Sequence, residues 1–426
     1  MESRGPTPLP ATTVSAQPLP TLPPPVATPA RREPLANFRA PSLPDVDLAA
    51  AQDLARRLNV RAPLASADVA LAEGLRARHP LEPEIKSLLV STLVLSSEQN
   101  RWARRFEAAA GALRRAVAVD PTVVNVRIQL MDVLLEGSDW AGAEAAARDT
   151  LPLAPESGQL MEGLAYALFR QDRNREAADI LHHAMDNRPT DSARSLLARI
   201  EKGLADERGM TEQHLSHFNV RYDGEAHEDV GREILRVLEH HYSTLVVSFD
   251  HQPKATVPVI LFTTQGYYDA SGAPTWSGGV FDNFDGRIRI PVGGLTSRLS
   301  PEMDGTLIHE LTHAFINDLS HGLAPREVHE GLAQFMEGKR IAAMLSPDRL
   351  TALADGRMPG VFGFYLGALS YVEYLISLRG QGGLNDLLRA MGTTGSVDDA
   401  FRQVYGEDYS GTRRAWSDRL RLQNGS

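Results

Sequence analysis

The sequence predicts a multidomain chain: an all-α array of helical repeats, followed by an α+β domain that ends in helices. A proline recurs every 34 residues, in Asp120-Pro121, Ala154-Pro155 and Arg188-Pro189. After Met210, short alternating segments replace the Ala-, Leu- and Arg-rich texture. From Ser300 onward the apolar spacing is helical again. A chain of 426 residues has room for two or three domains.

Residues 1–45 hold twelve of the 27 prolines, including the run Pro23-Pro24-Pro25. Such a segment cannot pack a core, so it is expected to be an extended, disordered tail that serves as a linker or tether.

Residues 46–212 are expected to form the helical array. Small residues keep the register of the prolines, with Ala109, Ala143 and Ala177 in one series and Ala116, Thr150 and Ala184 in another. Small residues let paired helices cross closely, and proline ends the second helix of each unit. This 34-residue pattern, clearest over 90–191, resembles the tetratricopeptide repeat. It departs from that family in lacking the usual aromatic near the start of each unit. The resemblance implies a superhelical array that takes a protein partner along its concave face.

Residues 213–426 are expected to form the second domain. Ser216–Tyr222 alternates as a strand does, and Asp223-Gly224 closes it with a turn. Residues 227–248 carry helical spacing through Ile234, Leu235, Leu238, Tyr242 and Leu245. Val257–Phe262 reads as a buried strand, and a Gly- and aromatic-rich loop follows through Tyr267, Tyr268, Trp276, Gly278 and Gly279. Gly286–Pro291 alternates again, with Arg287 and Arg289 on one side and Ile288 and Ile290 on the other. It is expected to be an edge strand whose arginines are solvated.

The chemistry-bearing segment begins at Ser300. Ser300 can cap free amides, Pro301 suits the first helical position, and Glu302 and Asp304 complement the dipole. Met303, Leu307, Leu311 and Phe315 recur at four-residue steps, as a core-packed helix requires. In His309-Glu310-Leu311-Thr312-His313 the two histidines lie one turn apart and project from one face. Two imidazoles so placed can share one zinc ion, while Glu310 is positioned to hydrogen-bond a water beside it. Glu330, in His329-Glu330-Gly331-Leu332-Ala333, follows His313 by 17 residues across a loop holding Gly322 and Pro325. A helix, a turn and the start of a second helix can bring its carboxylate back as a third ligand. Glu337, seven residues on, shares a face with Glu330 and is the alternative.

These residues resemble the gluzincins, zinc metallopeptidases, and specifically the bacterial peptidase-MA-like domains. The likeness runs over about 214–420 and includes the strand Gly286–Pro291 and the Ala400-Phe401…Tyr405-Gly406 pattern. It implies a zincin fold, one Zn2+ held by His309, His313 and Glu330, and Glu310 as the base that activates a zinc-bound water against a peptide bond. It also implies a Tyr in the following helix that assists the oxyanion, with Tyr365 the candidate and Tyr371 its competitor. The aromatic common before the ligand Glu is replaced here by Val328 and His329. His321 and His329 are expected in solvated loops or in support of the ligands. Metzincins are excluded, because the third histidine they need falls on Leu319 and their glycine on Ile316.

The expected function is therefore peptide hydrolysis on peptide or protein substrates, with the repeats recruiting protein. The alternative is a protein-binding scaffold whose zinc domain is inactive or acts on something other than peptides. Composition narrows the field further. A net charge of −10 speaks against nucleic-acid binding. The absence of cysteine removes thiolate ligands and nucleophiles. No stretch reads as a transmembrane span, and the N-terminus lacks the apolar core of a signal peptide. The expectation is a soluble chain, cytoplasmic by default, and periplasmic or secreted if a signal precedes Met1.

Overall fold

The computed structural model describes residues 38–424 except 41, 187–188, 215, 224–227, 254, 264–265, 269–278, 283–284 and 293–298. The expected tail therefore falls almost wholly outside the described residues, as do the turn glycine Gly224 and the loop residues Trp276 and Gly278. The remainder is mostly helical with one small mixed sheet.

Nine helices come first among the described residues: α1 (Asp45–Asn59), α2 (Ser66–Arg78), α3 (Pro83–Trp102), α4 (Phe106–Val119), α5 (Val124–Glu136), α6 (Trp140–Thr150), α7 (Gly158–Arg170), α8 (Asn174–Met185) and α9 (Asp191–Asp206). The 34-residue period is physically present. Helices α4, α6 and α8 start at Phe106, Trp140 and Asn174, and the turns before them hold Arg104, Ser138 and Asp172 in the left-handed region, each 34 residues from the last. Ala109, Ala143 and Ala177 are fully buried, as are Ala116 and Thr150, with Ala184 nearly so. Each thus supplies a spot where two helices meet without a large side chain between them.

The sheet begins directly after α9 at β1 (Met210–His214), a strand not expected from the sequence, which takes in residues 210–212 of the range expected to be helical. β2 (Phe218–Asp223), α10 (Glu228–Phe249), β3 (Val257–Phe262), β4 (Val280–Asp282) and β5 (Arg287–Pro291) follow. The five strands are ordered β1-β2-β3-β5-β4. β2, β3 and β5 run parallel, while β1 and β4 are antiparallel edges. Alternating Phe218, Val220, Tyr222, Val259, Leu261, Ile288 and Ile290 present one apolar face to α10 and the later helices.

Here an expectation is corrected. β5 is not an edge strand: β3 pairs with one side of it and the three-residue β4 with the other. Nor are its arginines solvated. Arg287 is only 2% exposed and forms ion pairs with Asp172, from the α7–α8 turn, and Glu207, just after α9. Arg289 pairs with Asp285, and Arg221 of β2 reaches Asp172 at 2.8 Å. Alternation alone reports which side of a strand is apolar, not whether both edges are occupied.

After the sheet come α11 (Pro301–Ser320), α12 (Arg326–Met336), α13 (Ile341–Met344), α14 (Pro347–Ala354), α15 (Gly360–Thr394), α16 (Val397–Tyr405) and α17 (Tyr409–Asn424). α15 is broken by non-helical backbone at Gly380. By length and composition α15 is apolar enough to cross a membrane, contrary to the expectation that no stretch is; half of its most apolar window is buried inside the protein.

Candidate metal centre

Ser300 Oγ accepts the Met303 amide at 3.2 Å and opens α11 as the sequence predicts. One turn apart on this helix, His309 and His313 meet edge to face with ring centroids 4.9 Å apart. The helix ends at His321 in the left-handed region, Gly322 at φ +72° continues the reversal, and Pro325 precedes α12. That short reversal returns the chain antiparallel and brings Glu330 to the histidines.

Glu330 Oε2 lies 3.5 Å from His309 Nε2 and 3.8 Å from His313 Nε2. The ligand atoms of all three residues fall within 4.8 Å of one another. A tetrahedral ion with ligands about 2.0–2.1 Å away would space them roughly 3.3–3.4 Å apart, so small side-chain adjustments suffice. Glu330 Oε2 is also buried with no hydrogen-bond partner, a cost that a cation at this point would remove. These three side chains can hold a metal ion, and two nitrogens with one oxygen suit zinc.

Two groups back the histidines. Glu337 Oε2 lies 3.3 Å from His309 Nδ1, the ring nitrogen opposite the cluster, while Lys339 pairs with Glu337 Oε1 at 2.7 Å. Glu337 therefore braces His309 from behind, and Glu330 alone of the two acids reaches both Nε2 atoms. His329 is buried, with its Nδ1 3.3 Å from Nδ1 of His313. Of the two histidines flagged near the site, His321 stands apart, capping α11 and touching the ring of Phe106.

Glu310 is buried, and its Oε2 accepts the backbone amide of Phe281 in β4 at 2.7 Å. A side chain on Gly279 would come within 3.1 Å of Glu310 Cγ and 3.0 Å of Thr306 Cγ2, so glycine lets β4 lie close over the helix. Burial pushes the Glu310 carboxyl up to about 7, with His309 opposing and Glu330 adding to the rise. Burial works against a charged His309, but Glu330 and Glu337 overcome it and hold this imidazole up at about 10. Burial and the neighbouring rings push His313 well below its ordinary value. His329 falls to about 4 chiefly through burial. The three imidazoles and the Glu310 carboxyl thus occupy sharply different environments, three of the four groups on α11 and His329 on α12.

The two tyrosines separate cleanly. Tyr371 is fully buried in the core, its hydroxyl 2.7 Å from Thr412 and its ring against Trp416 and Tyr409. Tyr365 sits where α15 passes the cluster. Its carbonyl accepts Gln334 Nε2 at 2.9 Å, and its hydroxyl is raised by burial and by the charges of Glu330 and Glu310, with Arg326 opposing. Arg326 lies over the ring of Phe364, 4.9 Å from its centroid.

The spacing of His309, Glu310, His313 and Glu330 was legible in the sequence. The amide of Phe281 was not, because β4 has three residues and no pattern. Nor was the pairing of His329 with His313, which joins residues 16 positions apart. No family model matches the sequence, and no curated protein matches it.

Proposed function

We propose that the chain is a zinc-dependent peptidase of the gluzincin type, with His309, His313 and Glu330 as ligands and Glu310 as general base. The helical units that precede it, tetratricopeptide-like in period, would recruit protein. The observation that carries the proposal is the buried, unpartnered Oε2 of Glu330 facing two Nε2 atoms, with the carboxyl of Glu310 on the same helix. Three protein ligands leave a position open, which suits catalysis, whereas structural zinc sites take four and favour cysteine, a residue this chain lacks.

When bound, the zinc ion would supply Lewis acidity to the attacking water and to the peptide carbonyl. The protein's own groups do the rest. Glu310 takes a proton as the water oxygen bonds to the carbonyl carbon, and delivers it to the leaving nitrogen as the C–N bond breaks. A carboxyl with a pKa near neutrality suits both halves of that transfer. The Phe281 amide fixes Glu310 in orientation, and Glu337 does the same for His309. The Tyr365 hydroxyl donates to the developing oxyanion.

The test compares zinc content and peptide cleavage for wild type and Glu310→Gln, which preserves shape and removes the base. Both proteins should carry about one zinc per chain, and the variant should lose roughly 10²–10⁴-fold in turnover. A Glu310→Gln protein of wild-type activity would overturn the mechanism. A wild type that takes up no zinc would overturn the metallopeptidase assignment.

A further inference from the structure

We propose that His329 is a positioning residue that fixes the tautomer and orientation of His313 through an imidazole–imidazole hydrogen bond. This rests on the metal-site assignment above and goes beyond it. The two Nδ1 atoms are 3.3 Å apart, both rings are buried, and their planes meet at 43°. Two Nδ1 atoms this close cannot both carry protons, nor can both lack one without losing the bond.

The direction of the bond follows from His313. Its Nε2 faces Glu330 Oε2 at 3.8 Å, so it must present an unprotonated Nε2 to bind a cation. Its single proton then sits on Nδ1 and is donated to Nδ1 of His329. His329 must accept there and keep its own proton on Nε2. One ligand contact thereby sets the protonation pattern of two rings.

The local charge explains why an imidazole stands at position 329. Glu310, Glu330 and Glu337 already put three carboxyls around the two ligand histidines. His309 is braced by one of them. A carboxylate behind His313 would add a fourth to a buried cluster with Lys339 and Arg326 as the neighbouring basic side chains. A neutral ring accepts the same proton without adding charge. His329 precedes the ligand Glu330 directly, so α12 delivers a ligand and the brace of another ligand in consecutive residues.

The test uses the full chain, with His329→Leu and His329→Asn compared with wild type. Zinc affinity is read by competition with a chromogenic chelator, and site geometry by the visible bands of the Co2+-loaded protein. His329→Leu strands a buried N–H on His313 and should weaken zinc about 10–100-fold with altered cobalt bands. In His329→Asn the amide oxygen falls near the lost Nδ1, so affinity should return to within a few-fold of wild type. His329→Leu binding zinc as wild type does, or the two variants failing equally, would overturn the role. Should His329→Leu not fold, long-range 1H–15N spectra of zinc-loaded wild type decide. They should show His313 protonated on Nδ1 and His329 on Nε2; the opposite His329 tautomer would overturn the proposal. Wild type that binds no zinc at all would instead remove the metal-site assignment, and this inference with it.

Discussion

Glu310 and Asp132 are two carboxyls that burial pushes to about 7, one beside the candidate metal site and one on α5 of the helical array. In Glu310 the raised value suits the proton transfer proposed for it, and the Phe281 amide satisfies one oxygen. In Asp132, Oδ2 accepts from Gln159 at 3.1 Å while Oδ1 is buried without a partner. Its folded pKa lies above the usual 3.8, so the folded state holds its proton where the unfolded chain has already released it. The Asp132 contribution to stability is therefore greatest at acid pH and is lost as pH rises from about 4 to about 7. Asp132→Asn should remove that slope, so its thermal midpoint should gain on wild type between pH 5 and pH 8. An unchanged difference across that range would show that Asp132 titrates normally. Asp132 falls within 46–212, expected to be helical, but the sequence could not show its burial, because partners such as Gln159 come from neighbouring helices.

At the scale of elements, the crossing of α12 and α15 decides where Glu330 sits. A Cβ on Gly331 would come 2.6 Å from Val372 Cγ2 and closer still to the Ala368 carbonyl oxygen. The glycine beside Glu330 therefore serves packing, letting the two helices touch backbone to backbone. Gly331→Ala should cost about 1–3 kcal/mol, since the obstructing atom is main chain and cannot rotate away. Because Glu330 is the preceding residue, zinc affinity should fall in parallel. Denaturant unfolding and chelator competition on the same samples check both; a variant that loses neither would mean that the helices part without consequence. The Glu-Gly pair was legible as a motif, whereas its cause lies in α15, 37 residues beyond at Ala368. The edge position assigned to β5 failed for a similar reason. β4 is too short to announce itself, and only its pairing with Arg287–Arg289 reveals which strand lies outermost.

For the molecule as a whole, the helical array and the sheet are joined by charge. Arg287 and Arg221 rise from the sheet into Asp172 and Glu207, and Arg199 of α9 reaches Asp282 of β4 at 2.6 Å. Arg287→Met would leave two buried acids short of a cation and should cost about 3–5 kcal/mol in denaturant unfolding. Adding Asp172→Asn and Glu207→Gln should recover part of that loss. A single variant within about 1 kcal/mol of wild type would show that Arg221 alone neutralises both acids. Removing the array outright would strand the same arginines, so point variants isolate the contribution of the array better than deletion does. The repeat period and the sheet strands could each be read locally. Their junction could not, since Asp172 and Arg287 stand 115 residues apart.

The left-handed turns at Arg104 and Asp172 each hold a residue of the later part of the chain. Arg104 lies against Gly395 at the end of α15 and beside Phe106, whose ring meets His321 at the end of α11. Asp172, two 34-residue periods later, grips the sheet. The array thus works as a calliper with two fixed jaws. A further 34 residues inserted between these turns would pull one jaw off its seat.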